Sequence, residues 1–174
     1  DGIDAFLMNL KMKARISSFK KNDFKRLEQL ITKSNQFNLT TKRYNYHDIK
    51  TFAESENFLT VQLRLSDIYG ENGLIAIIIA EIKESKLIID TWIQSCRILE
   101  RKVENLLLDV LIERASKYKV TEIYGIYIPT TKNKIVFNHY EKLGFRLIDK
   151  KTKLSTWSLS LIDYQKKKNP ITII

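Results

Sequence analysis

The sequence has few of the residues from which covalent and metal-based sites are commonly built. Its 174 residues include one cysteine and two histidines, which excludes an internal disulfide and a cysteine-based zinc site. His47 and His139 lie far apart in the chain and form no metal motif. A single cysteine is typical of a reducing compartment. We therefore expect a cytoplasmic protein without a metal ion.

Long apolar runs and secretion signals are lacking as well. The run Leu74–Ala80 is far shorter than the roughly 18 residues that a membrane span needs, and we expect a buried strand there. No signal-peptide pattern is present, so we expect no membrane association. The opening residues Asp1-Gly2-Ile3-Asp4 contain no initiator methionine, which favours one domain of a longer protein.

Positive charge is abundant. Thirty Lys and Arg residues against twenty Asp and Glu residues give a net charge of +10, which favours anionic ligands or an acidic protein partner. The lysines are scattered, and no standard nucleic-acid recognition module is present, so we expect no nucleic-acid binding. Hydrophobic residues make up 44% of the chain, which is typical of a folded domain. We expect one domain over residues 1–164 and a loose basic tail over residues 165–174.

Hydrophobic periodicity predicts the order of the secondary structure. Asn22 or Asp23 is a candidate cap for the first predicted helix, and Gly144 is expected to end the last one. Asn72-Gly73 is a strong hairpin signal, with Asp67 expected to cap the turn. Strands are predicted at residues 10–19, 59–65, 74–82, 87–93, 120–128, 145–148 and 154–161, and helices at 24–31, 46–54, 99–116 and 132–143.

This order predicts the fold class. Parallel strands require a helical crossover, so strands 87–93 and 120–128 should lie parallel with helix 99–116 between them. The expected architecture is α+β, with an α/β/α layering and a mixed, mostly antiparallel sheet that has helices on both faces. The free N–H groups at the start of helix 99–116 form a candidate anion site.

One short segment resembles the GNAT acyltransferases. Asn133, Val136, Tyr140, Gly144 and Phe145 have the spacing of a helix found in that superfamily. There the Asn contacts the pantetheine arm of coenzyme A, and the Tyr hydroxyl often protonates the departing thiolate. The resemblance therefore implies the GNAT fold, cofactor binding by Asn133 and a general-acid role for Tyr140. The alternatives are that Asn133 caps its helix and that Tyr140 is half-buried packing.

A narrower resemblance covers roughly residues 10–161. The segments 35–44, 67–75, 95–101 and 127–133 together resemble the C-terminal half of the FkbH-like proteins of methoxymalonyl extender-unit biosynthesis in polyketide pathways. Those proteins take a glyceryl unit from a bisphosphoglycerate and load it on an acyl carrier protein. The resemblance implies an acyl carrier protein and a small acyl or glyceryl substrate as partners. It also implies a phosphatase-like N-terminal domain, of which this chain contains no Asp-x-Asp-x-Thr/Val loop.

The junction before helix 99–116 departs from the family pattern. The resemblance implies Arg/Gln-x-x-Gly-x-Gly/Ala there, and Glu100 and Lys102 occupy the two glycine positions. Glycines let a pyrophosphate approach bare N–H groups, whereas Glu100 could act as an internal anion that replaces it. Coenzyme A or acyl-CoA binding is therefore expected to be weakened. The candidate cofactor-binding residues are Ser95, Arg97, Leu99, Arg101, Lys102, Val103 and Asn133.

Two further residues are candidates for catalysis. Cys96 lies beside Arg97 near a helix N-terminus, two features that favour a nucleophilic thiolate able to carry an acyl or glyceryl group. Its alternative is a small buried residue at a strand end. Asp90 interrupts an apolar strand on the same alternating face as Trp92 and Gln94, and it could serve as a general base.

The polar segment 35–44 is the candidate acceptor side of the cleft. Its Asn and Thr side chains either line that cleft or satisfy the backbone of their own loop. Arg43 either holds a carboxylate or phosphate through its planar fork or forms a surface ion pair. The candidate substrate-binding residues are Asn35, Gln36, Asn38, Thr40 and Arg43.

Two hypotheses of function follow. The first is an acyltransferase-type domain that binds a phosphopantetheine arm, of coenzyme A or of a carrier protein, between strands 87–93 and 120–128. The second is a catalytically degenerate scaffold that docks a carrier protein or a partner domain.

Overall fold

In the computed structural model, which describes residues 2–174, one eight-stranded mixed sheet has helices on both faces. The strand order is β6-β7-β5-β4-β3-β2-β1-β8. The strands are β1 (Lys13–Ser17), β2 (Phe58–Asp67), β3 (Gly70–Lys83), β4 (Lys86–Gln94), β5 (Glu122–Tyr127), β6 (Arg146–Lys151), β7 (Leu154–Ser160) and β8 (Thr172–Ile173). The α-helices are α1 (Gly2–Asn9), α2 (Phe24–Lys33), α3 (Tyr46–Glu54), α4 (Val103–Ala115) and α5 (His139–Lys142).

The sheet confirms the predicted fold class and the central topology. Strands β2, β3 and β4 pair in antiparallel fashion, and β4 pairs in parallel with β5 through the α4 crossover. The β2–β3 turn lies at Ile68-Tyr69 rather than at the predicted Asn72-Gly73. The Asp67 carboxylate closes this turn by accepting the Tyr69 N–H at 2.8 Å, as expected for a capping residue.

Two apolar clusters lie on opposite faces of the sheet. The larger cluster packs α1, α4 and α5 against one face, with Trp92, Leu107 and Tyr140 among its buried members. The smaller cluster packs α2 and α3 against the other face, around Leu27 and Ile49. The core therefore has the three layers that the sequence predicts.

A β-bulge in β4 changes which side chains face each layer. Ile79 pairs with Thr91 and Ala80 with Ile89, which leaves Asp90 as the extra residue. Trp92 consequently joins the α4 cluster, whereas Asp90 lies on the α2 side with Tyr44. The prediction that Asp90 shares a face with Trp92 and Gln94 is wrong, because strict alternation does not survive a bulge.

Other local predictions are also wrong. The predicted continuous helix 132–143 is a 3-10 turn, Lys134–Val136, followed by the single turn of α5. Asp23 makes no capping hydrogen bond to α2, and its carboxylate instead pairs with Arg64 and accepts from Gln62. The end of the chain is also less loose than expected. Ile171 is buried, and β8 pairs with β1 at the sheet edge.

Candidate functional site

The two central parallel strands open into a slot. Strand β4 pairs with β5 only over Lys86–Ile89 and Glu122–Gly125, although both strands continue beyond these residues. The four residues Phe37–Thr40, which we call the slot segment, fill the opening. The N–H of Leu39 donates to Trp92 O at 3.2 Å, and the N–H of Gln94 donates to Phe37 O at 3.0 Å. The slot segment thus runs antiparallel to β4, with a single bridge between Asn38 and Ile93.

The other side of the slot segment is tied to the end of β5. Ile128 N–H donates to Leu39 O at 2.8 Å. The buried side chain of Asn133 donates from Nδ2 to Asn38 O and to Ile128 O, both at 2.9 Å. Thr40 Oγ1 donates to Asp90 O at 2.9 Å. The slot segment is therefore bonded to both walls of the opening.

Expelling the slot segment would be costly. Five hydrogen bonds at about 1 kcal/mol each would be broken. Phe37 and Leu39, which are buried, would each lose about 1.5–3 kcal/mol of burial. This cost rivals the roughly 8 kcal/mol of binding free energy that a micromolar ligand supplies. An arm that displaced the slot segment would use most of its affinity to do so.

A basic cavity lies on the α2 side of the slot. It has a volume of about 710 Å³, and no Asp or Glu of the described residues lines it. Four cationic residues do line it, and within residues 2–174 none of them forms an ion pair. A cavity of this charge favours an anionic ligand. The four cations of the basic cavity are Arg26, Lys33, Arg97 and Lys132.

Cys96 lies on the wall of the basic cavity. Its thiol is free and exposed, and Sγ donates to Gln36 Oε1 at 3.0 Å. The alternative of a buried Cys96 at the strand end is therefore wrong. Ser95 Oγ accepts from the backbone N–H and from Nε of Arg97, both at 3.3 Å, which fixes the turn that presents the thiol. Arg97 also donates to Asn72 O at 3.2 Å.

Gln94, two residues before the thiol, also lines the basic cavity. Its Oε1 accepts from Trp92 Nε1 at 3.1 Å. Its Nε2 is buried and has no hydrogen-bond partner among residues 2–174. A buried amide donor without a partner is costly, and a ligand oxygen would satisfy it.

Two residues of the loop before α4 adopt a backbone conformation typical of glycine. Glu100 has φ of 62° and Lys102 has φ of 64°, the left-handed conformation that glycine adopts without strain. Arg101 pairs with the buried Asp67 carboxylate at 2.7 Å, and Lys102 pairs with Asp4 of α1 at 2.8 Å. Both candidate phosphate contacts therefore have internal partners. Two of the candidate cofactor-binding residues are apolar: Val103 is buried, and Leu99 is 41% exposed.

Asp90 accepts three hydrogen bonds. Lys42 Nζ and the Tyr44 hydroxyl each donate at 2.6 Å, and Thr91 Oγ1 donates at 2.9 Å. Burial, with a further contribution from the Asp90 carboxylate, raises the pKa of Tyr44 above its ordinary range. The geometry makes Asp90 an anchor for the loop that follows the slot segment.

Tyr140 and His139 lie buried under the slot. A side chain at Gly125 would come within 2.3 Å of the Tyr140 ring, so the two residues pack in direct contact. Burial raises the pKa of the Tyr140 hydroxyl beyond its usual range. Burial also lowers the pKa of His139 to about 3, so this imidazole is neutral. The Phe37 and Trp92 rings contact His139 edge-on, with centroids 5.3 Å and 4.4 Å away.

The remaining candidates mainly build the loop before and after the slot segment. Asn38 Oδ1 accepts from Thr41 N at 2.8 Å, and Nδ2 donates to Ser34 O at 3.1 Å. Arg43 donates to Ile31 O at 2.5 Å and to Ser34 O at 3.1 Å, and it also bonds Asn35. Arg43 therefore satisfies carbonyls at the end of α2. The alternative, that Arg43 forms a surface ion pair, is therefore wrong.

The structure brings one part of the predicted site together and separates the rest. Asn35, Gln36, Ser95, Cys96 and Arg97 share the basic cavity. Tyr140 and Asn133 are buried on the other side of the slot segment. Sequence reasoning missed the cavity residues Arg26, Lys33, Gln94 and Lys132. The one sequence feature that could have indicated any of these residues is the position of Lys132 directly before Asn133 of the GNAT-like motif.

The chain matches no family model and no curated protein. It does resemble solved structures. The ribosomal-protein-S18-alanine N-acetyltransferase from Escherichia coli is 16% identical, with a TM-score of 0.64 over 85% of this chain and 94% of that one. The PaiA N-acetyltransferase from Thermoplasma acidophilum, solved in complex with coenzyme A, is 14% identical. Its TM-score is 0.62 over 85% of this chain and 99% of that one.

A GNAT-family acetyltransferase from Streptococcus pneumoniae has a TM-score of 0.63 at 14% identity, over 85% of this chain and 99% of that one. The chain has the GNAT acetyltransferase fold. The GNAT fold of this domain agrees with the Asn133–Phe145 resemblance. The similarity in structure does not test the resemblance to the FkbH-like proteins.

The fold implies coenzyme A, but the residues of this GNAT domain do not fit it in the expected slot. The slot segment lies between β4 and β5, where the arm was expected. The amide of Asn133 is used internally, and the alternative that it caps a helix is wrong, since it makes no capping hydrogen bond. The Glu100 side chain stands at an expected glycine position. We therefore derive no chemical step through coenzyme A.

Two negative findings concern residues 2–174. None of their helices has the length and apolar character to cross a membrane. They also contain no group of three or more His, Cys, Asp or Glu side chains suited to a metal ion.

Proposed function

We propose that this domain is the acyl-transfer half of an FkbH-like protein and that Cys96 carries the acyl group. The exposed thiol on the wall of a cavity with four cations that form no ion pair within residues 2–174 supports the proposal best. Those cations suit a small anionic acyl group, such as a glyceryl unit that bears a phosphate. The role belongs to methoxymalonyl-type extender-unit biosynthesis.

The chemistry is two successive acyl transfers. In the first, the Cys96 thiol gives up its proton and its sulfur attacks the acyl carbon of the donor. A C–S bond forms at Cys96, the bond between the acyl carbon and the donor's leaving group breaks, and that group (the phosphate of a bisphosphoglycerate acyl phosphate, or the thiolate of a thioester donor) takes up the proton. In the second, the thiol of a phosphopantetheine arm on an acyl carrier protein attacks the Cys96 thioester and regenerates the free cysteine. Gln94 Nε2, which has no hydrogen-bond partner in the described part of the chain, can donate a hydrogen bond to the thioester oxygen.

The test is direct detection of the acylated cysteine. The protein is incubated with a glyceryl thioester of N-acetylcysteamine and analysed by intact mass and by peptide mapping. We expect one glyceryl unit on Cys96 and its subsequent transfer to a holo carrier protein. Cys96→Ala should take up none, whereas Ser116→Ala, a control far along the chain, should load normally. A wild-type protein that is never loaded would refute the proposal.

The filled slot favours a second candidate, a scaffold without catalysis. In this case the domain docks a carrier protein or the phosphatase-like domain, and its cofactor site has degenerated. Coenzyme A affinity is compared between the wild type and a Glu100→Gly/Lys102→Gly variant. A gain in affinity supports degeneration, and tight binding by the wild type rejects it.

A further inference from the structure

The slot segment and the basic cavity together suggest where a thioester arm can approach this domain. Two cavities flank the slot segment, and Phe37 lines both of them. The cavity of about 280 Å³ on the α4–α5 side is lined by Lys102, His139 and Lys142, and Cys96 is not among its lining residues. The only thiol of the chain faces the basic cavity on the α2 side.

We infer that the slot segment permanently replaces a thioester arm between β4 and β5, and that a phosphopantetheine arm reaches Cys96 through the basic cavity. The first half follows from the structure alone. The second half rests on the proposed role of Cys96 in acyl transfer.

The slot segment makes the backbone hydrogen bonds that an arm would need on β4. Trp92 O and Gln94 N–H are both used, by Leu39 and Phe37. Asn133 and Thr40 fasten the slot segment from both sides through side chains. Because the slot segment is bonded to both walls, an incoming arm has no free strand edge there.

The basic cavity supplies what an arm requires. A phosphopantetheine arm carries a phosphodiester, two amides and a terminal thiol. The cations Arg26, Lys33 and Lys132 suit the phosphodiester. The buried Nε2 of Gln94, to which no group of residues 2–174 hydrogen-bonds, suits a carbonyl oxygen of the arm or of its thioester. A volume of about 710 Å³ falls in the range typical of small-molecule sites.

Amide exchange measured by NMR tests the first half, with 4′-phosphopantetheine as the probe. The amides of Leu39, Gln94 and Ile128 report on the slot because they donate across its two walls. We expect their exchange rates to stay unchanged at saturating probe. Faster exchange at these amides on addition of the probe would overturn the inference, since the arm would then have displaced the slot segment.

Protection of Cys96 from iodoacetamide tests the second half with the same probe. We expect the probe to slow alkylation, and Lys33→Ala and Arg26→Ala to weaken its apparent affinity roughly two- to fivefold each. Lys142→Ala, on the opposite cavity, is the matched control and should leave the affinity unchanged. An absence of protection, or a loss of affinity confined to Lys142→Ala, would overturn the route.

The two proposals fail separately. If Cys96 is acylated but the probe opens the slot, the inference fails and the proposed function stands. If Cys96 is never acylated while the probe protects it and leaves the slot closed, the proposed function fails and the route stands.

Discussion

At the scale of single residues, Glu100 and Lys102 adopt a backbone conformation that is typical of glycine. Both occupy the left-handed region, with φ of 62° and 64°, where a side chain costs about 1–2 kcal/mol. The loop is therefore held in a glycine conformation by its surroundings, among them the Arg101–Asp67 and Lys102–Asp4 ion pairs.

Removing the side chain at Glu100 should therefore stabilise the protein. We expect Glu100→Gly to raise the free energy of unfolding by about 0.5–1 kcal/mol, because the strain is relieved. Urea denaturation followed by circular dichroism measures it. Glu104→Gly, in the first turn of α4, is the matched control and should destabilise by about 1 kcal/mol. A loss of stability in Glu100→Gly would contradict the strain argument.

The neutral His139 makes the stability depend on pH. Its pKa is lowered by burial to about 3 in the folded state, from an ordinary value of 6.5. Below pH 6.5 the unfolded chain binds a proton that the folded chain does not, so stability falls as the pH drops from 6.5 towards 3.

We expect His139 to cost the protein about 2 kcal/mol between pH 7 and pH 5. Urea midpoints at the two pH values measure this difference. His139→Phe, which keeps a ring in the aromatic cluster, should remove most of it. If the wild type and His139→Phe lose equal stability, His139 is not the titrating group.

At the scale of elements, the slot segment depends on Asn133. This one buried amide bonds Asn38 O and Ile128 O and accepts the N–H of Thr130 at 2.7 Å. The family resemblance assigned this position to cofactor contact. In this structure, its side chain instead holds the slot segment in place through hydrogen bonds.

Asn133→Ala should loosen the slot segment. We expect a loss of about 2–3 kcal/mol in the free energy of unfolding, because buried carbonyls are left without a donor. Exchange of the Leu39 amide should also quicken. The matched control is Asn138→Ala, since the Asn138 side chain makes no hydrogen bond among residues 2–174. Equal exchange rates at Leu39 in the two variants would argue against this role of Asn133.

At the scale of the whole molecule, local pattern predicted the sheet better than the site. The helix 46–54 and the parallel pairing of β4 with β5 follow from periodicity and crossover rules, and both were predicted correctly. The bulge at Asp90 was not predicted, because one inserted residue does not visibly change the pattern of an apolar run.

The site depends on contacts between distant parts of the chain. Asn38 of the slot segment lies 55 residues before its bridge partner Ile93, and the slot segment belongs to a polar stretch of the sequence that predicts a loop. The cations of the basic cavity come from three separate parts of the chain, namely α2, the turn after β4 and the loop after β5, and were scattered lysines and arginines in the sequence. Only the fold brings them around Cys96.

The central claim is that Cys96 lies in a cavity that attracts anions. The test compares the rate at which anionic iodoacetate alkylates Cys96 with the rate for neutral iodoacetamide. The ratio of these two rates is measured in the native protein and in the urea-unfolded protein, which has the same composition. We predict a ratio several-fold higher in the native state, falling with added salt and in Lys33→Ala/Lys132→Ala but not in the control Lys153→Ala. Equal ratios in the two states, or a native thiol that neither reagent modifies, would contradict the account.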